Sequence, residues 1–400
     1  MRAGRGALPF IFVTVMLNSM GIGLIMPVMP ALMEELGGGG IAEAAAWGGW
    51  LSMSYALMQL VMSPTLGNLS DAYGRKPVLT LSLFVMGIDY IAMATAQSLS
   101  LLFAARIVAG AAAATFSTAN AFIADVTPPE KRAQAFGLTG AAFGLGFVIG
   151  PALGGVLGEY GARAPFWAAA ALSFGALGFG LVFLPESLPA ARRRPFSPWR
   201  GNALGVMVVM ARRPATAWLL VALLVYNIAH FVYPAIWSYY AVARFGWSAG
   251  EIGASLAAIG IGFVIVQGFL IGRIVPRLGP ARTAVMALLL DAAAFLGLAF
   301  ATAGWIVYAV MPLAALAAVF NPAVQTMLAN RTPETEQGEL QGAVSSLSSL
   351  AFVITPVMMS QIFFTFTAAD APVFFPGAPF LAAFAFSLLA IAPLRAALRR

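Results

Sequence analysis

Residues 67–77 read GNLSDAYGRKP, a polar stretch that gathers Asp71, Arg75 and Lys76 between two long apolar runs. Charge is scarce everywhere else. The 400-residue chain is 61% hydrophobic and 9% charged, with a mean hydropathy of +0.89. A soluble domain carries roughly 25% charged residues, and no water-soluble fold of this length hides so much apolar surface. The runs on either side of 67–77 are therefore read as membrane spans, and the stretch between them as a turn at the membrane surface.

Cutting at every such polar break yields about twelve runs near the ~20 apolar residues that a span requires. They are 8–33, 46–66, 77–96, 99–123, 132–157, 165–184, 215–240, 249–272, 281–301, 304–328, 338–366 and 374–394. The first follows Arg2 and Arg5 as a signal peptide would. It stays apolar from about Leu8 to Leu36, beyond the ~7–15 residues of a signal core, and is read as a span. The expectation is an all-α integral membrane protein of twelve transmembrane helices.

Several function classes drop out. With no cysteine and one histidine, thiol chemistry, disulfides and a histidine-built metal centre are not expected, nor is any cofactor. No G-x-x-x-x-G-K-[ST] loop is present, so ATP is not the expected energy source. The net charge of +7 reflects cytoplasmic loops rather than a nucleic-acid partner. Nineteen of the 22 basic residues fall in alternate loops; Arg163 and Arg244 lie on the other side and Arg106 lies within a span. That asymmetry puts both termini in the cytoplasm.

The segment PESLPAARRRPFSPWRGN (185–202) divides the chain into six spans plus six. The expected organisation is an N-terminal half 1–184, a linker 185–214 and a C-terminal half 215–400. Residues 202–214 are too short to span and are expected as an amphipathic surface helix. The halves repeat at a fixed offset of 205: Gly67 and Gly74 as Gly272 and Gly279, Thr127-Pro128 as Thr332-Pro333, Gly137 as Gly342, and Pro151 as Pro356. Two parallel six-helix halves with a site between them describe an alternating-access transporter.

Within 67–77, Gly67 and Gly74 supply backbone freedom for the reversal, and Arg75 and Lys76 anchor it at the cytoplasmic side. A topogenic turn explains these four residues and leaves Asp71 unexplained. Gly146, Gly150, Gly154 and Gly158 recur every fourth residue, a stripe without side chains that lets another helix approach. Pro151 within it removes a backbone hydrogen bond and bends the helix. Close packing and a bendable seam between the halves are compatible readings. At Thr127-Pro128-Pro129-Glu130, threonine is expected to cap span five, with a proline at its first position and glutamate at its third. Asp125 is then either a second cap or a partner of Lys131 or Arg132.

These motifs resemble those of the major facilitator superfamily. G-x-L-x-D-x-x-G-R-K-P between spans two and three resembles its signature loop, Arg106-Ile-Val-Ala-Gly110 its R-x-x-x-G motif, and GFVIGPALGG (146–155) its antiporter motif. More narrowly, MGIGLIMPVMP (20–30), YALMQLVMSPTLGNLSDAYGRKPVL (55–79), IADVTPPEKRAQAFG (123–137) and QGELQGAVSSLSSL (337–350) resemble the tetracycline/proton antiporter family. The resemblance implies a gating role for Gly67, Asp71, Gly74, Arg75, Lys76 and Asp125, with Asp71 latching the cytoplasmic side near the start of span eleven. It implies an export role for Gly146, Gly150, Pro151, Gly154 and Gly155, and a bacterial inner-membrane location.

A charge near the bilayer centre is costly and functional by default. Asp89, Asp291 and Arg106 qualify, Arg106 lying ~10 Å into span four at 1.5 Å per residue. The two aspartates sit at similar depths in equivalent spans, and a carboxylate in apolar surroundings is suited to loading and releasing a proton. A plain buried pair with a polar neighbour is the other reading. Both aspartates match acidic positions of the tetracycline antiporters, and Arg106 would favour their ionised forms. Two positions depart from that family, which has an aspartate at Asn18 in span one and a histidine at Phe263 in span eight. An asparagine cannot titrate and a phenylalanine cannot relay a proton.

His230 lies in the aromatic run VYNIAHFVYPAIWSYY. It is either hydrogen-bonded between helices or, with Tyr233 and Trp237, a lining residue for a flat, partly aromatic ligand. Asn18, Gln59, Asn120, Gln267, Asn321 and Gln325 are polar candidates for the same ligand, and Phe263 sits among them. The expectation is a monomeric, proton-coupled exporter of small amphipathic, tetracycline-like drugs, whose partners are protons, a small-molecule substrate and the lipid bilayer. A metabolite transporter of the same fold, with or without proton coupling, and a non-transporting membrane receptor remain open.

Overall fold

In a lipid core every backbone N–H and C=O must be satisfied within the protein, so an apolar chain of this kind folds as helices. The computed structural model describes residues 4–113, 115–194, 196, 214–333 and 336–399. Among the described residues ten helical stretches are long and apolar enough to cross a membrane. The expected amphipathic helix at 202–214 lies outside the described residues except for Pro214.

The first half comprises α1 (Gly4–Ile25), a 3-10 turn at Met26–Val28, α2 (Met29–Gly37), α3 (Ile41–Tyr73) and α4 (Arg75–Thr95). It continues with α5 (Leu99–Ala111), α6 (Thr115–Val126), α7 (Pro129–Gly158) and α8 (Ala164–Phe183). The second half comprises α9 (Pro214–His230), α10 (Val232–Phe245), α11 (Ala249–Ile265), a π-helical turn at Val266–Leu270 and α12 (Ile271–Leu278). After these come α13 (Pro280–Ala299), α14 (Gly304–Ala317), α15 (Phe320–Asn330), α16 (Gln337–Thr367) and α17 (Ala378–Leu398).

The 205-residue repeat governs these breaks as well as the motifs. The interruption between α5 and α6 recurs between α14 and α15, and the start of α4 at Arg75 recurs as the start of α13 at Pro280. The residues before them, Gly74 and Gly279, both have positive φ, 110° and 75°. Only glycine enters that region readily. The last span departs: α17 begins nine residues later than the offset from α8 places it, after the connection at 368–377. Several spans expected to be continuous are thus broken. Span four becomes α5 and α6, and Ser82 Oγ donates to the Ala112 carbonyl at the break (2.6 Å). Span seven breaks at Phe231, because Pro234 has no N–H to offer the carbonyl of His230, one turn back.

The chain packs as two compact units. One gathers residues 1–37, 54–201 and 248–260, the other 38–53, 202–247 and 261–400. In the first, α1 lies along α7 and α8, over a core that includes Phe10, Ile11, Val15, Leu79, Leu83, Phe122 and Ile123. In the second, α9 and α13 pack on α17, and Tyr226, Tyr240, Phe295, Phe320, Phe363 and Phe380 are fully buried. Each unit ties down the C-terminal carbonyls of its equivalent helix with an arginine. Arg163 donates to the carbonyls of Ala94 (2.8 Å) and Ala96 (2.7 Å) at the end of α4, and Arg244 to that of Ala301 (2.7 Å) just after α13.

The glycine stripe has a specific partner. A β-carbon on Gly146, Gly150 or Gly154 would run into the backbone of Met16, Met20 or Leu24, so these three form the bed for α1 within one unit. Gly155, one residue on, faces Ala249 and Gly253 instead. Gly158, the fourth of the expected stripe, meets Val28 and Ala249, and α7 runs helical through Pro151. Helix α7 begins at Pro129 with Pro128 at its N-cap position, one residue later than the sequence suggested.

Candidate functional site

The GNLSDAYGRKP stretch is mostly helix. Helix α3 runs through Tyr73 and α4 starts at Arg75, leaving Gly74 alone to make the reversal. Gly67 sits inside α3 with open space where a β-carbon would go, so its expected role in the turn is corrected. Gly74 is the N-cap of α4 but has no side chain to accept from the first free amides of the helix. Glu186 takes over that task. Its carboxylate accepts from the backbone N–H groups of Arg75 (2.8 Å) and Lys76 (3.2 Å), and from Leu188 N–H (3.0 Å). A carboxylate there also opposes the positive end of the helix dipole.

Arg75 does not reach outward as a surface anchor. Its largely buried side chain turns inward, Nη1 donating to Asp71 (2.6 Å) and Ser70 Oγ (3.1 Å), and Nε to Asp125 (3.0 Å). Ser187 Oγ donates to the same Asp125 oxygen (3.1 Å). Asp125 therefore pairs with Arg75, a partner the sequence did not suggest; the side chains of Lys131 and Arg132 lie outside the described residues. Lys76 Nζ donates to the Leu181 carbonyl (2.9 Å) at the end of α8. The result is a braced corner in which one arginine joins α3, α4 and α6. Glu186 and Ser187 belong to the stretch that the sequence assigns to the linker. The available signal was a cap glycine followed by Arg-Lys-Pro, which leaves amides unsatisfied, and a lone Pro-Glu-Ser just after a span.

Deeper in this unit, Arg106 of α5 binds Asp89 of α4 directly through Nη2. Asp89 is 2% exposed, and the guanidinium lies 5.5 Å from the centroid of the Tyr55 ring. In the second unit Asp291 of α13 is fully buried, and both its carboxylate oxygens lack a hydrogen-bond partner among the described residues. Among the described residues the basic group that approaches it is His230, whose Nδ1 stands 3.8 Å from Asp291 Oδ2. His230 stacks on Tyr226 (ring centroids 5.2 Å), meets Tyr233 edge-on (5.4 Å) and faces Phe263 (6.4 Å).

The other candidates scatter. Asn18 is buried on α1, and Gln59, Asn321 and Gln325 are half-buried. Asn120 and Gln267 are exposed, the latter inside the π-helical turn. Trp237 is buried among Tyr240, Trp247 and Phe380, as part of an aromatic core.

An all-helical membrane protein with repeated halves, broken spans and buried ion pairs has the build of a secondary transporter. A family model described as Major Facilitator Superfamily matches residues 11–356 and again 218–399. The chain is 39% identical to the class C tetracycline resistance protein of Escherichia coli, over 90% of each chain. It is 40% identical to the class G tetracycline resistance protein of Vibrio anguillarum, over 87% of this chain and 88% of that one. Identity to multidrug resistance protein 2 of Bacillus subtilis is 28%, over 86% and 85%. Among solved structures, the nucleoside transporter NupG superposes with a TM-score of 0.79 at 13% identity, covering 99% of both chains. The human organic anion transporter MFSD10 superposes with a TM-score of 0.71 at 24% identity, covering 98% of this chain and 100% of that one. The chain belongs to the Major Facilitator Superfamily, in the group of the tetracycline resistance proteins. It is thus a multi-pass membrane transporter and not an enzyme.

Proposed function

We propose that this transporter exports tetracycline-like amphipathic drugs in exchange for protons, from a bacterial inner membrane in which both of its termini are cytoplasmic. The observation that carries the coupling is Asp291, a fully buried carboxylate without a hydrogen-bond partner among the described residues. A carboxylate without a partner in apolar surroundings at membrane depth is costly and functional by default. Asp89 with Arg106 is a second ionisable site at membrane depth. The drug class is supported by the 39–40% identity to tetracycline resistance proteins. The braced corner around Asp71 and Arg75 serves as the cytoplasmic gate, and His230, Tyr233 and Phe263 supply aromatic surface to the substrate path. The glycine rows of α7 permit close helix approach during the swing between states.

Proton-driven uptake of tetracycline into everted vesicles containing the chain tests this. Uptake that collapses with the pH gradient is expected. Uptake indifferent to the gradient, or none at all, overturns the reading. A broader drug range is favoured by Asn18, where the resembling antiporters carry an aspartate, and by the likeness to a multidrug resistance protein. Competition by unrelated amphipathic drugs in the same vesicles separates the two.

A further inference from the structure

We propose that the exchanged proton passes between His230 and Asp291, while the Asp89–Arg106 pair keeps its charges throughout the cycle. This rests on the antiport reading and divides the labour between two carboxylates of similar burial. Their partners differ in kind. Asp89 is bound by a guanidinium, which does not deprotonate in proteins, so its counter-charge is permanent. Asp291 faces an imidazole, the side chain whose charge ordinarily changes between pH ~5 and ~8.

Access points the same way. Asp291 is 0% exposed, whereas the His230 side chain is 21% exposed. A proton reaching Asp291 along this side meets the imidazole first. Nδ1 stands 3.8 Å from Oδ2, a little beyond hydrogen-bond reach, so a small swing of the ring closes the gap. His230 is the last residue of α9, just before the break at Phe231. In the transfer, the Nδ1–H bond of an imidazolium breaks and an O–H bond forms on Asp291. One cation and one anion become two neutral groups, and the reverse step returns the proton to Nδ1.

The surroundings add hydroxyls and apolar rings but no further charge among the described residues. Helix α9 adds Tyr226, whose hydroxyl is 3.4 Å from the same Nδ1, and α10 adds Tyr233, whose hydroxyl is buried without a partner among the described residues. From α11 comes the apolar Phe263, and from α15 comes Phe320, stacked on Tyr226 at 4.2 Å. No other ion pair to Asp291 or His230 occurs among the described residues.

The test compares gradient-driven tetracycline uptake with gradient-independent tetracycline exchange in the same vesicles. His230→Gln should lower the ratio of driven uptake to exchange by on the order of 10²-fold, as loss of a general acid–base group does. It should also flatten the pH profile of driven uptake. The double variant Asp89→Asn/Arg106→Gln should lower both rates together and keep their ratio. An unchanged ratio in His230→Gln, or a collapsed ratio in the double variant, overturns the assignment. If His230→Gln loses exchange too, Phe263→His in a His230→Ala background decides, because the two rings face each other. Recovery of driven uptake supports the relay, and its absence overturns it. A wild type without driven uptake overturns the antiport reading itself.

Discussion

Glu186 and the backbone N–H of Arg75, 111 residues apart in sequence, lie 2.8 Å apart and close the N-terminus of α4. The carboxylate does from a distance what a cap side chain does locally. Glu186→Ala should therefore destabilise the protein by about 1–2 kcal/mol, the usual cost of a lost N-cap. Unfolding in detergent measures this, and Glu186→Gln, which keeps one acceptor oxygen, should lose less. Gly74→Ala should lose more than either, because φ is 110° and a β-carbon there would collide with the Glu186 carboxylate.

Arg75 joins Asp71 and Ser70 through Nη1 and Asp125 through Nε, two nitrogens of one planar group. A lysine offers a single point of charge and cannot hold that geometry. Arg75→Lys should reduce drug export strongly although charge is conserved, as read by vesicle uptake. Asp71→Asn probes the gate more narrowly. Transport at the wild-type rate in that variant would reduce the corner to a structural turn.

Breaking the Asp89–Arg106 pair should be worse than removing it. Asp89→Asn strands a largely buried guanidinium and should cost about 3–5 kcal/mol, whereas Asp89→Asn/Arg106→Gln leaves no uncompensated charge and should cost less. Thermal unfolding of the single and double variants in detergent gives the comparison. Equal losses would show that the pair is not coupled.

The glycines of α7 and α8 should separate by position. Gly154→Ala places a β-carbon against the Leu24 backbone and should destabilise by about 1–3 kcal/mol, the range for overpacking. Gly175→Ala in α8 meets nothing and should stabilise by up to about 1 kcal/mol through helix propensity. Melting temperatures of the two variants settle the contrast.

Glu159 gives a pH dependence. Hydrogen bonds from Ser248 and then from Gly250 N–H (2.7 Å) hold its carboxyl below the usual glutamate range. A lowered folded value means the contact is fully present above the ordinary glutamate pKa of about 4.3 and is lost as pH falls through the lowered value. Amide exchange at Gly250 should be slow at neutral pH and accelerate in that acid window. Glu159→Ala should remove the pH step. A step that persists in the variant would assign it to another group.

Much of the fold was legible because apolar length and loop charge are one-dimensional properties. Spans, turns and the 205-residue offset follow from counting residues along the chain. The buried acids could be singled out because Asp89 and Asp291 interrupt runs in which charge is expensive. What those acids face could not be read the same way. Asp89 and Arg106 are 17 residues apart on different helices, and His230 and Asp291 are separated by 61, so each pairing depends on how helices pack. The glycine stripe showed that some helix approaches closely without naming α1. The loop GNLSDAYGRKP showed its charges without showing that Arg75 turns inward or that Glu186 closes the helix. Sequence alone determined the solvent this chain folds in and the order of its spans, but not the breaks within them. Tertiary packing decided which buried charge meets a permanent cation and which meets a switchable one, because partner choice is a matter of distance in space.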